Sequence, residues 1–211
     1  MNDLPGILEA EWRKDVALFQ ARPAATAFDE LLTRHNEPQR RYHGPAHLSA
    51  LFYLMTLHAS HIPPGTSPRL AIWWHDAMYD PQARDNEERS AGLAREHLTQ
   101  LGAPAALIQT TANLILMTRN HWAGPSAGDG DYFLDADIAI LGAPLQVYDR
   151  YAADVRQEYA WAAEPAYRAG RSAFLQAAAA RSRLFRTDAF ETAYGQQARV
   201  NMRRELASLA G

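Results

Sequence analysis

Apolar residues recur at intervals of three and four along almost the whole chain, the period of an α-helix that buries one face. Leu4, Ile7, Leu8, Trp12, Val16 and Phe19 set the first such stripe. Phe28, Leu31 and Leu32 mark a second helix. Leu48, Leu51, Phe52 and Met55 mark a third, opened by Gly44-Pro45 with the proline near the first helical position. Ser67-Pro68 opens a fourth, which the pattern carries through Leu70-Ala71-Ile72-Trp73-Trp74 to a stop near Asp80-Pro81. Asp85, with Glu88 three residues later, reads as a capping box for a fifth helix that reaches about Leu101. Pro104 starts a sixth, ending near Arg119. Residues 120–131 contain Gly124, Pro125, Ser126, Gly128, Asp129 and Gly130 and are predicted as a long loop. Short helices are predicted over 136–141 and 144–161, and two more over 165–183 and 188–208. No alternating pattern extends far enough for a strand. The predicted fold class is therefore all-α, a helical bundle. It forms a single domain over 1–211, with a core at about 24–161 and terminal helices packed on it.

Composition narrows the chemistry. Apolar residues make up 47% of the 211 positions, enough to fill a core without staples. The formal charge of −3 gives no basic footprint for a nucleic-acid polymer. There is no cysteine, which excludes disulfides, thiolate metal sites and thiol nucleophiles. Any metal must sit among His, Asp, Glu or backbone oxygen, a donor set suited to Mn, Mg, Fe or a His-rich Zn site. Met1-Asn2-Asp3-Leu4-Pro5 has no basic region followed by an apolar run, so no signal peptide is expected there. No apolar stretch is long enough to span a membrane. The expected compartment is the cytoplasm, with no membrane partner. The pattern carries no signal for oligomeric state.

Four segments carry titratable or metal-ligating groups: Arg41-Tyr42-His43-Gly44-Pro45-Ala46-His47, Trp74-His75-Asp76-Ala77-Met78-Tyr79-Asp80, Asn120-His121, and Leu134-Asp135-Ala136-Asp137-Ile138. Placing His75 and Asp76 beside Trp73 and Trp74 is costly unless both are paired or bound to a metal. Taken singly, each group has a plainer explanation. His75-Asp76 can be a buried hydrogen-bonded pair, His47 a satisfied core histidine, and Asp135 or Asp137 a helix cap.

Their order changes the reading. A His on one helix, a His-Asp pair on a later apolar helix, and an Asp opening a still later helix resembles the HD superfamily of metal-dependent phosphohydrolases. The resemblance covers roughly residues 41–160. It includes Asp85-Asn86-Glu87-Glu88-Arg89-Ser90-Ala91 and Asp137-Ile138-Ala139-Ile140-Leu141-Gly142, and more specifically the chain looks like a bacterial group of predicted HD phosphohydrolases. It implies a helical bundle with one divalent ion at its centre, held by His47, His75, Asp76 and Asp137. The last ligand stays open between Asp137, on which the family pattern falls, and Asp135. Two imidazoles and two carboxylates balance a divalent charge and leave positions open, and such an ion activates water and polarises a phosphoryl oxygen. The implied activity is hydrolysis of a phosphomonoester or phosphoanhydride in a nucleotide or other small phosphorylated metabolite.

Around that set, Asp76, Asp80 and His43 are the candidate catalytic groups. Arg41, Tyr79, His121 and Arg156 are candidates for holding substrate. Glu87 is a further candidate base, while Glu88 is accounted for as a cap. Guanosine tetraphosphate hydrolases of the superfamily have Glu-Asp where this chain has Tyr79-Asp80, and its nucleotidases have Glu at Tyr79, which argues against either specific activity. Two other functions fit the same outline. One is an HD-type di-iron oxygenase, which needs extra histidines such as His97 and His121. The other is a non-catalytic ligand-binding protein that keeps the cleft.

Overall fold

A computed structural model describes residues 3–19 and 24–210. Met1 and Asn2, which begin the stretch lacking signal-peptide character, lie outside the described residues. Among the described residues there are ten α-helices and no strand. They are α1 (Leu4–Val16), α2 (Ala24–His35), α3 (Pro45–His58), α4 (Ser67–Trp74), α5 (Asn86–Gln100), α6 (Ala105–Met117), α7 (Gly130–Ile138), α8 (Leu145–Glu158), α9 (Glu164–Ala179) and α10 (Asp188–Ala210). Short 3-10 turns follow α6 at Thr118–Asn120 and α7 at Ala139–Gly142. None of the helices is long and apolar enough to cross a membrane.

α4 is the axis of the bundle. All eight of its residues are buried, with α3, α5, α6 and α7 packed around it. A helix that is apolar on every side has nowhere to lie but the centre. Its charge exceptions are compensated. Arg69 bonds Asp15 Oδ1 at 2.7 Å and Glu11 Oε2 at 2.6 Å, while Trp73 Nε1 donates to Asp15 Oδ2 at 3.0 Å. This network ties α1 to the axis beside the aromatic cluster of Trp12, Phe28 and Trp73. At the other end of the chain, α10 packs on α9 and on the turn 139–142. The approach to that turn is close: a Cβ on Gly142 would stand 2.5 Å from the Tyr194 carbonyl oxygen.

Several boundaries differ from the sequence pattern, each for a local reason. α4 stops at Trp74 rather than near Asp80. Arg40 takes the carbonyls of Asp76 (2.6 Å) and Ala77 (3.1 Å), and Ser90 takes the Met78 N–H (3.0 Å), so the chain turns instead of continuing as helix. The capping box at α5 does not form: the Asp85 side chain makes no cap bond, and Glu88 pairs with Arg119 instead. α7 begins at Gly130, inside the stretch predicted as loop. There the Asp131 carboxylate accepts from Ser126 Oγ (2.5 Å) and the Ala127 N–H (3.1 Å), folding the loop onto the helix start. A Cβ on Gly130 would lie 2.4 Å from the end of the Leu114 side chain, so any larger residue at that start requires Leu114 to move. Asp135 consequently lies mid-helix and caps nothing at the start of α7.

Candidate metal centre

Three helices bring the conspicuous side chains together. Pro45 starts α3 and places His47 in its first turn. His75 is the C-cap of α4. Asp137 is in the last turn of α7. His47 Nε2 faces His75 Nε2 at 3.2 Å and Asp137 Oδ1 at 3.1 Å, and His75 Nε2 is 3.5 Å from the same oxygen. Donor atoms of these three residues all lie within 4.8 Å of one another, so the group could hold a metal ion. Asp76 flanks it, with Oδ2 3.1 Å from His75 Nε2 and 3.9 Å from His47 Nε2. Ligands about 2.1 Å from one ion stand roughly 3.0–3.4 Å apart, the spacing most of these donors already have.

Orientation and charge agree with that spacing. His75 Nδ1 donates to the Ile72 carbonyl at 3.0 Å, which fixes the tautomer and leaves the Nε2 lone pair facing the cluster when the ring is neutral. Asp137 uses its two oxygens separately, Oδ1 toward the histidine pair and Oδ2 against His121 Nε2 at 2.7 Å. Both histidines of the pair are buried. Burial disfavours charge on His75, but Asp76 and Asp137 outweigh it and hold its pKa well above the ordinary histidine value. Burial dominates at His47, whose pKa falls despite its bond to Asp137. Burial also works against both carboxylates, yet His75 first among their neighbours holds Asp76 and Asp137 below the usual range. Two partly buried carboxylates therefore draw positive charge to one point, and the two imidazoles converge on it.

Beside this group is a cavity of about 450 Å³. Asp76 and Asp137 open onto it, together with His43, Tyr79, Asp80 and His121. The sequence-derived candidates divide accordingly. Asp80 is exposed on the cavity wall, its Oδ1 accepting from the Gln82 N–H at 2.9 Å in an ordinary turn. Arg41 lines a separate cavity that reaches His47 from another side. Arg156 lines neither: it pairs with Glu164 at 3.0 Å, donates to the Tyr159 carbonyl and stacks over Tyr167. Its position corrects the expectation that it faces the same pocket. The cations on the wall of the metal-side cavity are Arg84 and Arg119 instead. Asp135 points away, accepting from the Arg186 and Thr187 N–H groups at 2.7 Å each, so of the two aspartates Asp137 faces the histidines. His97 is likewise elsewhere, bonded to Trp74 Nε1 and Glu30.

Sequence reasoning missed two residues that hold the site in shape. Glu158, at the end of α8, is 4% exposed and accepts five hydrogen bonds. Its Oε1 takes the N–H groups of Arg41, Tyr42 and His43 at 2.7, 2.8 and 3.0 Å. Oε2 takes His43 Nδ1 at 2.6 Å and Tyr79 OH at 2.7 Å. Although burial works against the carboxylate, the His43 bond leads a set of donors that pull its pKa down to about 2. His43, in turn, has its pKa raised by Glu158 against the opposing effect of burial. The second residue is Arg40, whose guanidinium bonds the carbonyls of His43, Asp76 and Ala77 and so joins the two ligand-bearing segments. The one available signal was position: Arg40 immediately precedes the segment already singled out, and Glu158 lies one turn past Val155 on an inward stripe.

Compared with family models, with curated proteins and with solved structures, the chain finds no match.

Proposed function

We propose that this protein is a metal-dependent hydrolase of phosphomonoesters or phosphoanhydrides, built as an HD-type bundle around one divalent ion. The observation that carries the reading is the convergence of His47, His75 and Asp137 from three separate helices, with Asp76 alongside, at the edge of a polar cavity. His47, His75, Asp76 and Asp137 are the ligand set in this reading. A bound Mn, Mg, Fe or Zn ion would supply Lewis acidity toward a phosphoryl oxygen and make water acidic enough to attack near neutral pH.

The chain's own groups then have distinct tasks. Arg84 on the cavity wall offers positive charge to phosphate oxygens, whereas Arg119 beside it is paired with Glu87 and Glu88. Glu158 engages Nδ1 of His43, so Nε2 is the nitrogen left to hold or deliver a proton in the cavity. The Tyr79 hydroxyl is committed to Glu158, which makes Tyr79 a wall rather than a donor to substrate. His121 orients Asp137 through the 2.7 Å bond to Oδ2. A di-iron reading draws less support, because His97 is engaged with Trp74 and Glu30 away from the cluster.

The test is a screen of phosphorylated metabolites with metal-free protein resupplied with Mn, Mg, Fe(II) or Zn, reading release of phosphate or pyrophosphate. Turnover that needs added metal and is lost in Asp76→Ala supports the proposal. Phosphate release that persists in a chelator, or that Asp76→Ala retains, rejects it.

A further inference from the structure

A second cavity adjoins the first and differs from it in chemistry. Its volume is about 590 Å³, and it meets the metal-side cavity along His43, Tyr159 and Phe174, which line both. The His43 ring is 5.9 Å from the His47 ring, so this junction lies within one small molecule's length of the proposed ion. The walls come from the end of α8, the turn after it and one face of α9. They carry the rings of Tyr151, Tyr159, Trp161, Tyr167 and Phe174, with small residues such as Ala163, Ala166 and Gly170 between them.

Two features define what fits there. First, the cavity has no unpaired charge in its wall to attract a second phosphate. Arg171 is bonded by both oxygens of Glu205, at 2.8 and 3.1 Å, and by Tyr151 OH, and His43 is bonded to Glu158. Second, large aromatic surface is left uncovered: Trp161 is 53% and Phe174 36% exposed although both border a concavity. Exposed aromatic rings around a pocket of this size are the usual lining of a small-molecule site.

We infer that this cavity is a subsite for a planar aromatic ring carried by the substrate, whose phosphate occupies the metal-side cavity across His43. This inference rests on the proposed phosphohydrolase reading for the phosphate half alone. The ring would lie against Tyr159, Trp161 and Phe174, where stacking and apolar burial reward any flat group. A small polyol phosphate of equal charge has neither the ring nor the apolar surface to gain from these walls.

Gly170 provides a clean probe. It lies within α9 and lines the cavity, and a Cβ built on it meets nothing within 4 Å. Gly170→Leu therefore places a side chain in the subsite while raising helix propensity. The experiment compares wild type, Gly170→Leu and Trp161→Ala on 1-naphthyl phosphate and glycerol 2-phosphate, with thermal melts to verify folding. Calorimetric binding of 1-naphthol to the metal-free proteins runs alongside. The wild type should prefer the naphthyl ester in kcat/KM, and each variant should cut that preference by roughly tenfold or more. Naphthol should bind the wild type and not Gly170→Leu. If neither ester is hydrolysed but naphthol binds in this pattern, the phosphohydrolase reading fails and the aromatic subsite stands. Equal naphthol binding by wild type and Gly170→Leu, or an unchanged ester preference in folded variants, overturns the subsite.

Discussion

Removing the Glu158 carboxylate should unfasten the ligand-bearing loop, and the cost can be worked from its five bonds. In Glu158→Gln the amide oxygen can stay where Oε1 is and keep the N–H groups of Arg41, Tyr42 and His43. The amide nitrogen then faces His43 Nδ1 and Tyr79 OH, both of which must reorient. Exchanging two charge-assisted bonds for neutral ones costs about 1 kcal/mol each, so roughly 2 kcal/mol in total. Glu158→Ala leaves three part-buried backbone N–H groups without that acceptor. At about 1–3 kcal/mol per orphaned group, the loss is roughly 3 kcal/mol or more. Urea denaturation followed by tryptophan fluorescence measures both, with the m-value verifying two-state behaviour. The same substitution should lower the His43 pKa, because the bond that raises it is gone and burial remains; NMR titration of the ring reads this directly. Stabilities of both variants within about 0.5 kcal/mol of wild type, with the His43 titration unmoved, would refute the reasoning.

Other perturbations test different links. Arg40→Ala removes the guanidinium from three carbonyls across two segments and should destabilise by roughly 3 kcal/mol in the same urea assay, whereas a surface change such as Arg13→Ala should shift it by under about 0.5 kcal/mol. His35 is 1% exposed, and its Nδ1 has no hydrogen-bond partner among the described residues. Burial, with Arg40 and His75 nearby, pushes its pKa down to about 3 from 6.5. The unfolded chain takes up that proton as pH falls below 6.5 while the folded chain does not, so stability present above 6.5 is lost progressively toward pH 3. Metal-free His35→Leu should lose roughly 2–3 kcal/mol less than wild type between pH 6.5 and 4.5; parallel pH–stability curves for the two proteins would contradict this.

Helical periodicity made most of the bundle legible, because each helix buries a stripe and α4 buries every side. The boundaries it misplaced are those set by contacts remote in sequence. Arg40 ends α4 through the carbonyls of Asp76 and Ala77, and Arg119 takes Glu88 away from the start of α5. Local pattern carries no record of either partner. The same limit applies at the site. His47, His75 and Asp137 were conspicuous because imidazoles and carboxylates in apolar helices need a partner. Glu158 was not, since a glutamate late in an amphipathic helix is an ordinary surface residue until the loop 41–43 folds over it. The choice of Arg156 failed similarly: its helix was placed correctly, but Glu164 and Tyr167 claim the side chain.

The most direct test of the central claim is metal content. Wild type, His75→Ala, Asp76→Ala, Asp137→Asn and His43→Ala are purified, saturated with Mn or Zn, desalted and subjected to elemental analysis. The account predicts about one ion per wild-type chain, near-complete loss in the three ligand variants, and substantial retention in His43→Ala. A folded Asp137→Asn or His75→Ala protein that keeps full metal occupancy would contradict it.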